Sequence, residues 1–209
     1  MMDELWATGW RHQGHLFFRY NHCFMGGKLH DILPIRIPLA HFVLTKSQRR
    51  IIRKNTDLRW QIGPAFFDEE THLMFERHSE RFSDNVPESI YSFFTASPSD
   101  TPCECHCIRA LLNGKLIAVS FLDIGLKSCS SVYAIFDPEY ADRSLGTLTL
   151  LREIDHARSL GLNLLYPGYG TLEPSHYDYK WRFGPMQMLD WEKNDWRFAT
   201  LPEIRQGLP

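Results

Sequence analysis

The stretch SSVYAIFDPEYADRSLGTLTLLREIDHARSLGLNLLYPGY, residues 130–169, decides the fold. Its first part, residues 131–136, is β-branched and aromatic and predicts a buried strand. Asp137-Pro138 breaks that strand, because proline lacks a donor and restricts the residue before it. Arg143-Ser144-Leu145-Gly146-Thr147 then makes a tight entry into a helix. Leu148, Leu151, Ile154 and Ala157 share one face of it, with Arg152, Glu153, His156 and Arg158 directed elsewhere. Gly161 stands where a C-terminal cap belongs. Residues 162–166 follow as a second buried strand, ended by Gly168-Tyr169-Gly170. Strand, turn, helix and strand leave free backbone N–H groups at the helix N-terminus, an arrangement suited to a phosphate.

Working outward, the spacing of Arg143, Gly146 and Leu148 resembles the pyrophosphate loop of the GNAT acyltransferases, with a single glycine. A strand–helix–strand unit without a ligand has the same pattern. Upstream, residues 103–112 and 115–122 form a hairpin across Asn113-Gly114, the strongest short turn signal in the chain. The second half therefore reads as hairpin, strand, helix, strand and a further strand. That layout predicts an α+β protein with a GNAT-like acyltransferase core and a smaller N-terminal α/β region. The Ser-, Pro- and Asp-rich residues 96–102 form the expected linker, which divides the chain into residues 1–98 and 99–209.

In the first half, residues 16–18 suggest a short strand and Gly26-Gly27 a turn. The segment LPIRIP (residues 33–38), bounded by prolines, fits an edge strand. Next comes a basic helix with Thr45 or Ser47 as its N-cap, carrying Lys46, Arg49, Arg50, Arg53 and Lys54. Taken alone, such a charge run is a solvated face. Residues 68–82 read as an amphipathic helix, and SIYSFF (residues 89–94) as a short apolar patch.

The composition, 44% hydrophobic and 23% charged, is that of a soluble globular protein in 209 residues. No apolar run reaches membrane-spanning length, and MMDELWATGW lacks the layout of a signal peptide, so a cytoplasmic location is expected. A net charge of -2 gives no general case for DNA or RNA, which leaves the local basic cluster as the place for any nucleic acid. The five cysteines read as reduced thiols. Cys103, Cys105 and Cys107 alternate along a strand and point to one face about 7 Å apart, too far for one tetrahedral zinc, so they read as core thiols.

Four stretches together resemble the aminoacyl-tRNA–protein transferases, both arginyltransferases and bacterial aspartate/glutamate leucyltransferases. They are GWRHQGHLFFRY (residues 9–20), PIRIP through SQRRIIRKNTDL (34–58), GKLIAVSFLDIG with the stretch quoted first, and YKWRFGP (179–185). The resemblance spans nearly the whole chain. It implies transfer of an amino acid, leucine or arginine, from charged tRNA to the α-amine of a protein N-terminus, often an acidic one. Leucine is the preferred donor, because chain length and the SQRR segment look bacterial.

The donor ester is already activated, and an α-amine titrates at roughly 7.7–8, so the enzyme needs to position its partners and stabilise an oxyanion. The tRNA would meet Lys46, Arg49, Arg50, Arg53 and Lys54, and its 3′ end the turn Arg143, Ser144, Gly146 and Thr147. Arg36, Lys180 and Arg182 are candidates to hold an acidic acceptor side chain. Asp178, with Glu173, would favour a cationic group. Tyr133, Tyr169 and Tyr179 would orient the amine or line the aminoacyl pocket, although each could equally be a packed core tyrosine.

Two departures from the family pattern stand out. NHCFMGGKLHDIL keeps one cysteine, Cys23, of the cluster that relatives carry, so no metal or iron–sulfur group is expected and aminoacyl-tRNA is the sole co-substrate. His22, Cys23 and His30 are ligand-capable, with plain exposure the commoner reading. The Cys-Pro-Lys-Met-like stretch before Tyr179-Lys180 is also replaced, which bears on donor and acceptor choice. Three alternatives remain open: an acyl-CoA-dependent acetyltransferase, a non-catalytic binder of tRNA or protein N-termini, and a tRNA-dependent enzyme acting on a small molecule or specialised peptide.

Overall fold

The computed structural model describes residues 1–82 and 86–206, so residues 83–85 and 207–209, within the segments read above, lie outside the described residues. The chain opens with helix α1 (Met2–Ala7) and the hairpin β1 (Arg11–Gln13)–β2 (Leu16–Phe18). Strands β3 (His22–Met25) and β4 (Lys28–Pro38) follow, then α2 (Lys46–Lys54), β5 (Arg59–Pro64) and α3 (Glu69–Ser79). Thr45 is the N-cap of α2 and forms a capping box with Gln48, while the Asp68 carboxylate caps α3 by accepting from the Thr71 amide.

The second half contains β6 (Cys105–Leu112), β7 (Lys115–Ile124), β8 (Ser128–Phe136), α4 (Leu145–Ser159), β9 (Leu164–Tyr166) and β10 (Tyr169–Thr171). A 3-10 segment (His176–Phe183), β11 (Met186–Asp190), β12 (Asp195–Ala199) and α5 (Leu201–Arg205) complete it. Asn113 and Gly114 turn the β6–β7 hairpin with φ of 51° and 87°, as the dipeptide predicts. Gly161, at φ 72°, follows the end of α4 in the expected cap position.

One sheet runs β12-β11-β4-β9-β8-β7-β6-β5, with β3 and β10 also paired to β4. Strands from both sides of the 98/99 division therefore share this sheet. β4 corrects the reading of residues 33–38 as an edge. It lies inside the sheet and pairs in turn with β3, β10, β11 and β9. Pro34 closes the three-residue pairing with β10 and Pro38 is the last residue of the strand, so each missing donor falls where the ladder changes partner.

Helices cover the two faces. Leu148, Leu151, Ile154 and Ala157 of α4 are all buried, the first beneath Ala118 and the others against Leu122, Ile35, Ile37 and Leu165. On the other face Met74 and Phe75 of α3 pack on Cys105, Cys107, Val119, Phe121 and Ile135, which makes two of the alternating thiols core residues. Each such apolar side chain contributes about 1.5–3 kcal/mol when fully buried. The prediction for Glu153 is corrected here. It lies 1% exposed, turned toward the sheet rather than outward.

Candidate active site

β8 and β9 are paired in parallel for only Ser128↔Leu164, Cys129↔Leu165 and Ser130↔Tyr166. Beyond Tyr166, Pro167 and Gly168 (φ 96°) swing the chain away to β10, while β8 continues to Phe136. The two strands thus open into a wedge. β8 carries a bulge at its mouth: Phe121 faces Tyr133 and Leu122 faces Ser131, leaving Val132 unopposed. The extra residue re-aims the side chains. Ser131 turns to α4, and Tyr133 turns to the α3 side, stacked on Phe93 at 3.9 Å between ring centroids.

Residues 176–183 bring a second set of groups to the wedge. Ser175 caps this segment, with its Oγ accepting from the Tyr177 amide. Asp178 is held by Arg205 through bonds of 2.8 and 2.9 Å. The consequence is that Lys180 points inward, 9% exposed, with Nζ donating to the Tyr169 carbonyl at 3.0 Å and lying 4.6 Å from the Tyr177 ring. Gly168 is required beneath it. Its positive φ disfavours other residues, and a Cβ there would stand 3.2 Å from Nζ.

Burial lowers the Lys180 ammonium to about 7, assisted by the nearby Arg11 cation and opposed by Glu153. Burial pushes the Glu153 carboxyl up to about 8, partly offset by the Ser120 and Ser131 hydroxyls and by Lys180. Ser131 Oγ donates to Glu153 Oε1 at 3.2 Å, while Oε2 has no hydrogen-bond partner. Near neutral pH this arrangement offers an amine that can accept a proton and a carboxyl that can give one. Tyr179, half exposed at the wedge, has its phenol pushed up to about 12 by burial and then by Glu153.

The other residues singled out from sequence divide into two groups. Tyr169 is buried, and its hydroxyl donates to the Gly9 carbonyl at 2.7 Å, tying the GWR segment to the wedge. Arg36 donates from Nε to Gln187 at 2.7 Å and lies 4.2 Å over the Trp196 ring. Arg182 is exposed. Asp178 is spoken for by Arg205, and Glu173 accepts from the Asp31 amide at 3.0 Å. His22 bonds Asp31, and among the described residues no group of three or more His, Cys, Asp or Glu could hold a metal ion.

The basic residues form a continuous rail. Lys46, Arg49, Arg50 and Arg53 are exposed along α2. At its end Lys54 bonds Asp142 at 2.8 Å, and Asn55 donates to the Arg143 carbonyl at 3.1 Å. Arg143 makes a two-pronged pair with Asp57 at 2.9 and 3.0 Å. Ser144 is left-handed at φ 57° and makes no side-chain cap, and its carbonyl accepts from the amides of Thr147 and Leu148. Gly146 lies one residue into α4, where a Cβ would make only ordinary contact, 3.5 Å from Phe136. At the other end of α2, Gln48 Nε2 donates to the Arg182 carbonyl at 3.0 Å. The rail therefore runs from the segment carrying Lys180 to the α4 N-terminus.

Glu153 and Arg11 escaped the sequence reading. Glu153 lies four residues from both Thr149 and Ala157, each buried, and that spacing was the available signal. The acid itself, in a run of charges, masked it.

A mixed sheet split at a parallel pair, with Glu153 and Lys180 buried beside the split, is an α+β arrangement with a GNAT-like core. The chain matches the family described as arginine-tRNA-protein transferase, C terminus, over residues 70–190. An aspartate/glutamate leucyltransferase of Marinobacter nauticus is 32% identical over 197 residues, covering 90% of this chain and 79% of the relative. One from Leptospira interrogans is 28% identical over 219 residues, covering 99% and 80%. The chain belongs to the aminoacyl-tRNA–protein transferase family. Among solved structures, FemX is similar with a TM-score of 0.55 at 10% identity, over 87% of this chain and 64% of its own. The C-terminal domain of a lysylphosphatidylglycerol synthetase from Agrobacterium fabrum gives 0.54 at 13%, over 73% of this chain and 50% of that one. These two likenesses bear on the fold alone. No described helix is long and apolar enough to cross a membrane.

Proposed function

We propose that this enzyme transfers leucine from charged tRNA to the α-amine of a protein whose N-terminal residue is Asp or Glu, a reaction of the cytoplasm. The observation that carries this reading is the buried Glu153–Lys180 pair at one end of the exposed basic helix. The donor follows the leucyltransferase names of the relatives.

The chemistry needs no cofactor. Neutral Lys180 takes a proton from the acceptor ammonium. The freed amine attacks the ester carbonyl, forming the C–N bond and placing charge on the carbonyl oxygen. Collapse breaks the bond to the ribose oxygen, which takes the Glu153 proton, and the carboxylate recovers one from the new amide nitrogen. The proton left on Lys180 returns to solvent. A thiol nucleophile has no part, since burial raises Cys105, Cys107 and Cys129 above the ordinary thiol range. The rail of α2 with the Arg143–Thr147 turn receives the tRNA.

The test is transfer of labelled leucine or arginine from a charged tRNA pool onto peptides with N-terminal Asp, Glu or Ala, with ribonuclease-treated tRNA as control. Leucine on the acidic peptides, abolished by ribonuclease, is the expected result. Turnover of acetyl-CoA without tRNA-dependent transfer would replace this reading with an ordinary acetyltransferase.

A further inference from the structure

Arg11 of β1 is a guanidinium without a counter-ion in the interior. It is 7% exposed, lies 5.3 Å from the Tyr166 ring and 5.4 Å from the Tyr169 ring, and has no carboxylate partner among the described residues. Guanidinium stays charged at any physiological pH, and a buried charge left unpaired is strongly disfavoured unless something compensates it. Its polar contacts are few. Nη1 donates to the Trp10 carbonyl at 2.6 Å, Nη2 makes a long bond of 3.5 Å to the Gly168 carbonyl, and Nε has no partner.

The neighbouring group supplies no negative charge. Lys180 donates to the Tyr169 carbonyl, the next peptide after Gly168, so a buried guanidinium and a buried amine sit on consecutive carbonyls at the point where the wedge opens. On the Nε/Nη2 edge of Arg11, Nε has no partner and Nη2 has only the long bond to Gly168, and two parallel N–H groups on one edge match the two oxygens of a carboxylate. A tetrahedral phosphate of the tRNA has the exposed cations of α2 instead.

We propose that Arg11 is the specificity residue of this enzyme, receiving the side-chain carboxylate of the acceptor's N-terminal Asp or Glu across its Nε/Nη2 edge. This rests on the transferase reading for the nature of the ligand. The acceptor α-amine would then lie toward Lys180, on the same side of Gly168.

Two measurements test it on the full chain. Binding of the dipeptides Asp-Ala and Asn-Ala is followed by calorimetry without tRNA, and leucine transfer is followed on peptides beginning with Asp or Asn. The wild type should favour Asp by about 100-fold or more in kcat/KM, since a site built around a charge rejects the neutral isostere. Arg11→Met should bring that ratio to within about 5-fold and abolish Asp-Ala binding. Arg11→Lys, which keeps the charge but not the fork, should fall between and serves where the methionine variant does not fold. A folded Arg11→Met or Arg11→Lys with the wild-type ratio overturns the proposal. Transfer by the wild type without acid preference also overturns it and leaves the reaction standing. Arg11-dependent binding of Asp-Ala without any tRNA-dependent transfer does the reverse.

Discussion

Gln48 joins the basic helix to the catalytic segment: its Oε1 accepts from the Thr45 amide at 2.9 Å while its Nε2 donates to the Arg182 carbonyl at 3.0 Å. One buried side chain therefore both starts α2 and fixes the backbone two residues after Lys180. Gln48→Glu keeps the acceptor of the capping box and loses the donor. Gln48→Ala loses both and should destabilise the protein by about 1–2 kcal/mol. Thermal melts should rank the two variants in that order. Both should slow transfer with tRNA affinity retained, and a Gln48→Glu enzyme with wild-type turnover would reduce this link to scaffolding.

Lys180 and Glu153 set opposite limbs of one pH profile. In the proposed mechanism, transfer requires Lys180 deprotonated, with its amine at about 7, and Glu153 protonated, with its carboxyl at about 8. The expected kcat/KM profile is a bell centred between those values. Lys180→Met should lower kcat by about 100-fold or more and remove the acid limb. Glu153→Gln should lower it by roughly 10- to 100-fold and remove the alkaline limb. A Glu153→Gln enzyme whose alkaline limb is intact would take the carboxyl out of the reaction.

The same carboxyl makes stability fall with pH. Its folded value of about 8 lies above the ordinary 4.5, so the unfolded chain ionises first as pH rises. Below pH 4.5 both states hold the proton and nothing is lost. Between 4.5 and 8 the loss accumulates, reaching on the order of a few kcal/mol for a fully buried acid. Glu153→Gln should be more stable than the wild type at pH 8 and nearly equal at pH 4.5, as read by denaturant midpoints at the two values. Lys180 acts in the opposite sense between about 7 and 10.5, where stability gained with pH should survive in Glu153→Gln.

On the rail, Lys46, Arg49, Arg50 and Arg53 of α2 should read out as salt dependence. Replacing Arg50 and Arg53 by alanine should raise the KM for charged tRNA and lower the slope of log affinity against log salt by about 1.5–2. The kcat at saturating tRNA should change little. Arg143 is already paired with Asp57, so Asp57→Asn should release a cation and tighten tRNA binding. An unchanged salt slope in the double variant would separate α2 from the RNA.

Sequence periodicity carried the fold where a single element decides its own structure. The buried face of α4, the caps at Thr45 and Gly161, and the Asn113-Gly114 turn are local, and each follows from spacing or from one residue's backbone preference. The same logic failed on β4, because two prolines say that a donor is missing but not that the ladder changes partner there. Lys180 stands out in the YKWRFGP motif, but there it reads as a cation for an acidic acceptor side chain, and its burial is not visible in the motif. Arg11 and Glu153 were not legible, because a charged residue on a strand or helix reads as solvated until the surrounding elements close over it. Tyr133 turned away from the α4 side because of one unopposed residue, Val132, and no period marks a bulge.

The position of β4 governs how this protein is made. Residues 28–38 leave the ribosome early, yet the strands that flank them in the finished sheet, at 164–166, 169–171 and 186–190, are among the last to emerge. For most of synthesis the central strand has only β3 beside it and exposes an unsatisfied backbone edge. Assembly must wait for contacts more than a hundred residues away, which predicts slow folding and a need for shielding of the nascent chain. A stop codon before residue 186 would therefore remove β11 and β12 together and leave Ile35 and Arg36 of β4 without their partner strand, and the truncated product should aggregate rather than fold.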